Sequence, residues 1–472
     1  MGKILGSFIL PHPPVIVPEV GKGDEAGAAR TVNAVKDAAA DIAAMKPTTI
    51  ILTTPHGTVF SDFVYISDMT RLSGDLGRFG AKKVRLDYEN NNQLVSLIVK
   101  HAAQRGIPSG GLEEAIANKF KVSRELDHGA VVPLYFVNRE YSNFKLVNIS
   151  MSQLPFTELY RFGQAVQEAV NESNEQVVFI ASGDMSHRLS PDAPYGFSKK
   201  AAAFDQMLAE SFENYEPIKL MNIDEGLCEE VGECGTRSFI MMFGALDRYK
   251  VEQKLYSYEG PFGVGYSVAG FKVVGQGEES VLEKYLAENK LKFDEMRQNE
   301  DPYIALARKT LETYIEKGRS VGVPDGLPSE MTDSAAGVFV SLKKDGQLRG
   351  CIGTIFPTQK SIAEEIIHNA ISSGTQDPRF EPVRKDELPM LVYSVDVLKE
   401  PEPISSMSEL DVERYGVIVR AGRRSGLLLP NLEGIDEPEK QVSIALQKAG
   451  IGRDEKYSME RFEVIRHKQE LD

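Results

Sequence analysis

Three histidines follow closely on apolar runs of the kind that form buried strands. His12 lies in PHPP, His56 in TPHG and His187 in SGDMSH. The runs before them are rich in Ile, Val, Leu and Phe: Ile4–Leu10, Thr49–Thr54 and Val177–Ala181. A lone loop histidine is usually only a hydrogen-bonded surface residue, but three placed alike after strands favour a site. Imidazoles gathered there could bind a metal ion or transfer protons near neutral pH.

A fourth candidate is His128, which opens the apolar segment HGAVVPLYF. Prolines flank His12 and His56 and stiffen the backbone, as a preorganised set of metal ligands requires. The remaining histidines stand in helical or terminal contexts, and we expect structural or surface roles for them: His101, His368 and His467.

The elements needed to gather these histidines are predicted over residues 1–275. Short apolar runs alternate there with helical stretches, the pattern of an α/β domain with a largely parallel central sheet. Ala26–Met45 is rich in alanine, Phe156–Val170 has helical periodicity, and Lys145–Ile149 is a further strand-like run. Because parallel strands end at one edge of a sheet, the loops that follow them would deliver the imidazoles to one crevice.

A second unit is predicted over residues 301–472, after a highly charged connector at 276–300 that we expect to be helical or partly ordered. It begins with the helix PYIALARKTLETYIEKG, closed by Gly318. A hairpin follows, in which the Asp345-Gly346 step indicates a tight turn. Further strands and helices after it predict a smaller α+β domain.

Composition limits the classes of function. The chain has 54 Lys and Arg against 69 Asp and Glu, and this net charge of -15 argues against nucleic acid as a partner. No apolar run reaches the roughly 20 residues that a membrane span needs, so no membrane is expected either. The three cysteines form too sparse a set for a disulfide framework, which favours a reducing compartment, and we expect the cytoplasm: Cys228, Cys234 and Cys351.

Residues 1 to about 275 contain four motifs, in the order SFILPHPPVIVPEVG, TPHG, LDHGAVVPL and SGDMSH. With these motifs, this part of the chain resembles the LigB-type class III extradiol dioxygenases. The related Memo proteins share that fold. The resemblance implies that His12 and His56 bind Fe(II) and that a carboxylate near the end of the domain completes the ligand set. It also implies that His187 is the catalytic acid–base residue and that His128 contacts the substrate.

Either of two residue types, a glutamate or a cysteine, could supply the third metal ligand. The resemblance places a glutamate in EGLCEEVGECGTRSF, where Glu233 is the preferred candidate and Glu230 the other. Memo-type relatives carry a cysteine followed by glycine at this point, which Cys234-Gly235 matches. A carboxylate suits Fe(II) and oxygen chemistry, whereas a thiolate favours zinc or copper.

Residues 300–472 contain the motifs LRGCIGTI at Leu348–Ile355 and DPRFEPV at Asp377–Val383. With these motifs, they resemble the AMMECR family. No established reaction comes with that resemblance. Cys351 is either a reactive thiol beside flexible glycines or a small buried residue in a tight turn. The two domain types together resemble the AmmeMemoRadiSam system, which implies a radical SAM protein as partner.

These observations lead to one expected function and one alternative. The expected function is that of a metal-dependent oxidoreductase that cleaves a catechol or related small aromatic substrate by extradiol chemistry. The alternative is a Memo-like metal-binding protein that acts with a radical SAM partner in a modification pathway, without dioxygenase turnover. A homo-oligomer is compatible with either.

Overall fold

The structure is a computed structural model that describes residues 1–469 apart from 194, 299, 345, 386, 433 and 453. The chain divides into two compact units, Met1–Leu286 and Ala287–Asp472. Asp345 of the expected hairpin turn lies outside the described residues.

The first unit alternates strands and helices along most of its length. Its strands are β1 (Lys3–Leu10), β2 (Thr49–Thr54), β3 (Val64–Tyr65), β4 (Arg71–Leu76), β5 (Ala81–Glu89), β6 (Ser109–Gly110), β7 (Lys145–Ser150), β8 (Gln176–Ser182), β9 (Tyr249–Glu259) and β10 (Tyr266–Gln276). Its helices are α1 (Pro18–Gly21), α2 (Ala29–Met45), α3 (Asn92–Gln104), α4 (Glu114–Lys119), α5 (His128–Glu140), α6 (Phe156–Glu172), α7 (Ala201–Asn214), α8 (Pro217–Met221), α9 (Glu225–Val231), α10 (Thr236–Ala245) and α11 (Val281–Gln298).

The central sheet has the strand order β7-β2-β8-β1-β10-β9. Strands β7, β2, β8 and β1 pair in parallel, and β10 and β9 join antiparallel. The predicted largely parallel α/β sheet is confirmed. Every residue of β2 is buried, as expected for a strand covered on both faces.

Helices cover both faces of this sheet, and successive strand residues point to opposite sides. Ile51 of β2 packs into a core shared with helices α3, α6 and α10. Its neighbours Ile50 and Leu52 pack into a second core shared with α2 and α5. The two apolar layers hold the sheet rigid, so the loops at its edge project from a fixed base.

The second unit is built around an antiparallel sheet. Its strands are β11 (Val338–Lys344), β12 (Gln347–Gly353), β13 (Val392–Leu398), β14 (Glu402–Ile404), β15 (Tyr415–Ala421), β16 (Arg424–Leu428) and β17 (Ser458–Lys468). Its helices are α12 (Pro302–Lys317), α13 (Ser329–Asp333), α14 (Ile362–Thr375) and α15 (Pro438–Ala449). The sheet runs β12-β11-β13-β17-β15-β16, with β14 also paired to β17. The predicted α+β architecture is confirmed.

The charged connector forms a helix. Residues 281–298 make up α11, whose sequence is mostly polar and whose buried side chain is Leu282. The boundary between the compact units falls inside this helix, within the residues 276–300 that we predicted as the connector. No helix among the described residues is both long and apolar enough to span a membrane.

Candidate metal centre

Three neighbouring parallel strands deliver the predicted histidines to one edge of the sheet. Leu10 at the end of β1 pairs with Ser182 at the end of β8, and Thr53 of β2 pairs with Ala181. His12 and His56 each stand two residues beyond their strands. The shared register explains why residues distant in sequence meet there.

His12 and His56 are in direct contact. Their Nε2 atoms lie 2.9 Å apart, with the two rings perpendicular. His12 is 1% exposed, whereas His56 faces solvent. His128, the first residue of α5, stacks on His56 with ring centroids 4.3 Å apart. All three imidazoles can offer a nitrogen within 4.8 Å of the others.

The hydrogen bonds behind His12 fix which of its nitrogens is free to bind a ligand. Ser182 Oγ donates its one proton to the Gly129 carbonyl at 2.5 Å. It must therefore accept from His12 Nδ1, which lies 2.9 Å away. The neutral ring then carries its proton on Nδ1, and the lone pair of Nε2 points towards His56. Such a supporting contact is typical of metal-binding histidines.

Cys234 and Asp184 approach the same nitrogen from the other side. Cys234 Sγ lies 3.7 Å from His12 Nε2, and Asp184 Oδ2 also lies 3.7 Å from it. The Asp184 amide donates to Cys234 Sγ at 3.4 Å, while Asp184 Oδ1 accepts from the His12 amide at 2.9 Å. The three side chains form a second group of mutually close potential ligands.

Glu233 is held elsewhere by the start of α10. Its Oε2 accepts a hydrogen bond of 2.7 Å from the Thr236 amide, which caps that helix. Among the described residues it belongs to neither group of close potential ligands. Glu230 pairs with Lys200 at 2.8 Å. In this geometry Cys234, and not Glu233, lies in a group of close potential ligands with His12.

His187 lies beyond Cys234 rather than against the other histidines. Its Nε2 is 3.8 Å from Cys234 Sγ, and its ring stacks on Tyr195 with centroids 5.4 Å apart. Both side chains line a cavity of about 310 Å³ that also includes Cys234. An apolar cavity of about 770 Å³ adjoins Pro13, Phe79 and Tyr266. A small organic molecule has room beside the centre.

Burial keeps the imidazoles neutral. It lowers the pKa of His12 well below the ordinary value, with the neighbouring His56 charge adding to the effect. Burial likewise lowers the pKa of His128 and of His187 to about 4. It raises the pKa of Asp184 to about 7 and that of Cys234 well above 9. Neutral imidazoles are ready to bind a metal, and a bound cation would favour the thiolate.

The donor set fits a transition-metal ion. The His12 and His56 imidazole nitrogens are in contact, and the Cys234 sulfur lies close to His12 Nε2 next to a cavity. Such a set suits zinc, copper or iron rather than magnesium or calcium, which prefer oxygen ligands.

Asp184 is the residue that the sequence analysis missed. It stands in SGDMSH, three residues before His187, and the motif was noticed only for its histidine. An acidic residue directly after a buried strand at the predicted edge was the available signal.

Cys351 of the second unit forms part of a different arrangement. Its thiol accepts from Ser341 Oγ at 3.2 Å, and its amide donates to Asp377 at 2.9 Å. Burial raises the pKa of this thiol, so it is not activated as a nucleophile.

Comparisons with known proteins assign both units. Residues 6–269 match the family described as the catalytic LigB subunit of aromatic ring-opening dioxygenase, and residues 304–470 match AMMECR1. Protein CA_C1420 of Clostridium acetobutylicum is 45% identical over 465 residues, which cover 98% of this chain and 99% of that protein. A Thermotoga maritima protein is 48% identical over 171 residues, covering 36% of this chain and 98% of its own length.

Solved structures also resemble parts of the chain. The uncharacterized protein PH0010 from Pyrococcus horikoshii is 34% identical in sequence, and the match covers 35% of this chain and 88% of that one, with a TM-score of 0.33. With its potential metal ligands gathered at the edge of a largely parallel sheet, the chain belongs to the LigB family, followed by an AMMECR1 unit.

Proposed function

We propose that the first unit is a metal-dependent oxidoreductase whose metal is held by His12 Nε2, His56 Nε2 and Cys234 Sγ. The observation that carries the proposal is that His12 belongs to two groups of close potential ligands, with its Nε2 lying 2.9 Å from His56 Nε2 and 3.7 Å from Cys234 Sγ. The substrate class is a catechol or related small aromatic, as in the ring-opening family. Fe(II) is the metal we propose for that chemistry, with zinc or copper as the thiolate-favoured alternatives.

When bound, the metal would supply Lewis acidity and reactivity towards dioxygen. The protein side chains bind, orient and move protons around it. His187 lines the cavity beside Cys234 and is placed to take a proton from a substrate hydroxyl. His128 stacks on His56 and has Phe79 5.1 Å away, so it offers a face to an aromatic ring. Ser182 holds the His12 ring in the ligating tautomer.

A second candidate function rests on the thiol. A cysteine in place of the expected carboxylate makes the ligand set softer than the usual non-haem iron triad. This favours a Memo-like metal-binding protein that acts with a radical SAM partner and does not turn over catechols. Both candidate functions use the same metal centre. Only the reactivity of that centre towards catechols and oxygen therefore distinguishes the two functions.

Oxygen uptake tests which function holds. The full chain is loaded with Fe(II) without oxygen, and oxygen consumption is then followed with a catechol. Ring cleavage predicts stoichiometric uptake and a yellow ring-opened product, lost in the His56→Ala variant. His101→Ala is the matched control, because His101 lies on α3, pairs with Glu172 and belongs to neither group of close potential ligands among the described residues. Full metal occupancy with no uptake would reject ring cleavage and favour the second candidate.

A further inference from the structure

Strand β9 forms one edge of the central sheet. It is the last strand in the order β7-β2-β8-β1-β10-β9, where it pairs with β10 on one side. Because successive residues of a strand direct their main-chain groups to opposite sides, about half of those groups point outward. Among the described residues, no hydrogen bond joins the main chain of 250–259 to an element other than β10. The outward donors and acceptors are therefore available to another extended chain.

Helices α2 and α7 lie against the two faces of β9. The Tyr256 hydroxyl donates to Asp41 of α2, and the Tyr258 hydroxyl donates to Asp205 of α7. Residues 255–258 of β9 line a cavity of about 390 Å³ that residues of both helices also border. The edge of the strand is therefore accessible between the two helices.

The exposed charges of β9 alternate in sign along one face of the strand. Lys250, Glu252 and Lys254 are all exposed and stand two residues apart. The Glu252 carboxylate has no ion-pair partner among the residues that the structure describes. Lys254 Nζ lies 3.4 Å from Asp41 in a solvent-exposed pair, and an ammonium group has three protons to donate. Charges on an edge strand hinder pairing with most other strands, but an alternating pattern can match a copy of itself.

We infer that β9 of one chain pairs antiparallel with β9 of a second copy, so that the two central sheets join across a twofold axis. With Gln253 facing Gln253 of the second copy, Glu252 lies opposite Lys254 of the second copy. The same ion pair recurs by symmetry. On the other face of the strand, Val251 lies opposite Leu255 of the second copy. Opposite charges and apolar side chains placed in this way both stabilise an antiparallel pair.

The charges favour this register over its neighbours. The neighbouring registers that keep the same faces together are centred on Glu252 or on Lys254. The first sets Glu252 against itself and Lys250 against Lys254, and the second sets Lys254 against itself. Like charges directly opposite each other destabilise a strand pair. A bulge at Tyr256 ends the regular part of the strand, which confines the pairing to this charged stretch.

Analytical ultracentrifugation of the full chain over a range of concentrations tests the inference, and we expect a reversible dimer. Glu252→Lys and Lys254→Glu should each weaken the dimer by at least about tenfold, because each replaces two symmetric ion pairs with two like-charged pairs. The double variant restores opposite charges and should recover most of the parent affinity. Glu252 also faces Lys272 of β10 within its own chain, so a melting curve of each variant checks that β9 stays in place.

The matched control is Lys83→Glu, which carries the same change of charge as Lys254→Glu. Lys83 is exposed on β5, a strand of a separate two-stranded sheet, so this variant should dimerise as the parent does. A monomeric parent would leave the edge to a different chain and overturn the inference. Single reversals that leave the dimer intact, or a double variant that does not regain it, would overturn it as well. The measurement needs no metal, so its outcome is independent of the proposed function.

Discussion

At the scale of residues, each histidine has a distinct environment. His12 is buried and held by Ser182, and His56 faces solvent against it. The neighbour of His187 at the centre is Cys234, whose Sγ lies 3.8 Å from His187 Nε2. Metal binding and proton transfer should therefore be separable by single substitutions.

We expect His12→Ala and His56→Ala each to abolish tight metal binding while the protein stays folded. Each removes one of two converging nitrogens, and neither belongs to the apolar layers that stabilise the sheet. Metal content after dialysis and the thermal melting curve measure the two effects. Full metal occupancy in either variant would remove that residue from the proposed ligand set.

His187→Ala should keep its metal and slow substrate turnover by about 10²–10⁴-fold, the usual loss when an acid–base group is removed. The ring lies 3.8 Å from Cys234 Sγ, and it belongs to neither group of close potential ligands among the described residues. Metal analysis beside the turnover rate tests this. Loss of metal as complete as in His12→Ala would make His187 a ligand.

At the scale of elements, much of the architecture was predictable because the signals were local and strong. The strand Thr49–Thr54 was predicted at its observed bounds, and Gly318 ends α12 in the left-handed conformation that favours glycine. The choice between Glu233 and Cys234 was not predictable in this way. It depends on whether the chain there is extended or begins a helix, and the Glu233 cap on Thr236 is a tertiary outcome of how α10 packs.

One carboxyl connects three elements beside the centre. Asp205 on α7 accepts from the Ser186 amide at 2.8 Å and from the Tyr258 hydroxyl of β9 at 3.0 Å. Burial raises its pKa to about 7, from an ordinary value of 3.8. A carboxyl group whose pKa is raised on folding makes its full contribution to stability when the pH is below the pKa that it has in the unfolded chain. That contribution is lost as pH rises from about 4 to about 7.

Asp205→Asn should therefore be less sensitive to pH than the parent chain. The amide oxygen can still accept from Ser186, but it cannot ionise. We compare the melting temperature of the variant minus that of the parent at two pH values. This difference should be a few degrees higher at pH 8 than at pH 5, since about 1 kcal/mol moves a melting point by about 2–4 °C. An equal difference at both pH values would show that Asp205 does not titrate in this range.

At the scale of the whole molecule, each of the two units has apolar clusters of its own. The buried apolar clusters of residues 1–286 and those of residues 287–472 share no member. All the proposed metal ligands lie in the first unit. The motif order along the sequence already indicated two domains, and the connector that was predicted to be helical or partly ordered is helical over Val281–Gln298.

Residues 1–298, produced alone with all of α11, should fold and take up the metal as well as the full chain does. Residues 302–472 should fold without taking up the metal. Circular dichroism and metal analysis of both pieces provide the check. A metal affinity of the first piece more than about tenfold below that of the full chain would show that the second unit contributes to the centre, since supporting contacts contribute factors of that size.

The central claim is that Cys234, and not Glu233, completes the metal centre with His12 and His56. The most direct measurement is the metal content of Glu233→Gln and Cys234→Ser, each reconstituted with Fe(II) without oxygen. We predict that Cys234→Ser loses its metal, while Glu233→Gln keeps it and is changed only in stability, because Glu233 caps α10. Retention of metal by Cys234→Ser together with its loss from Glu233→Gln would contradict this account.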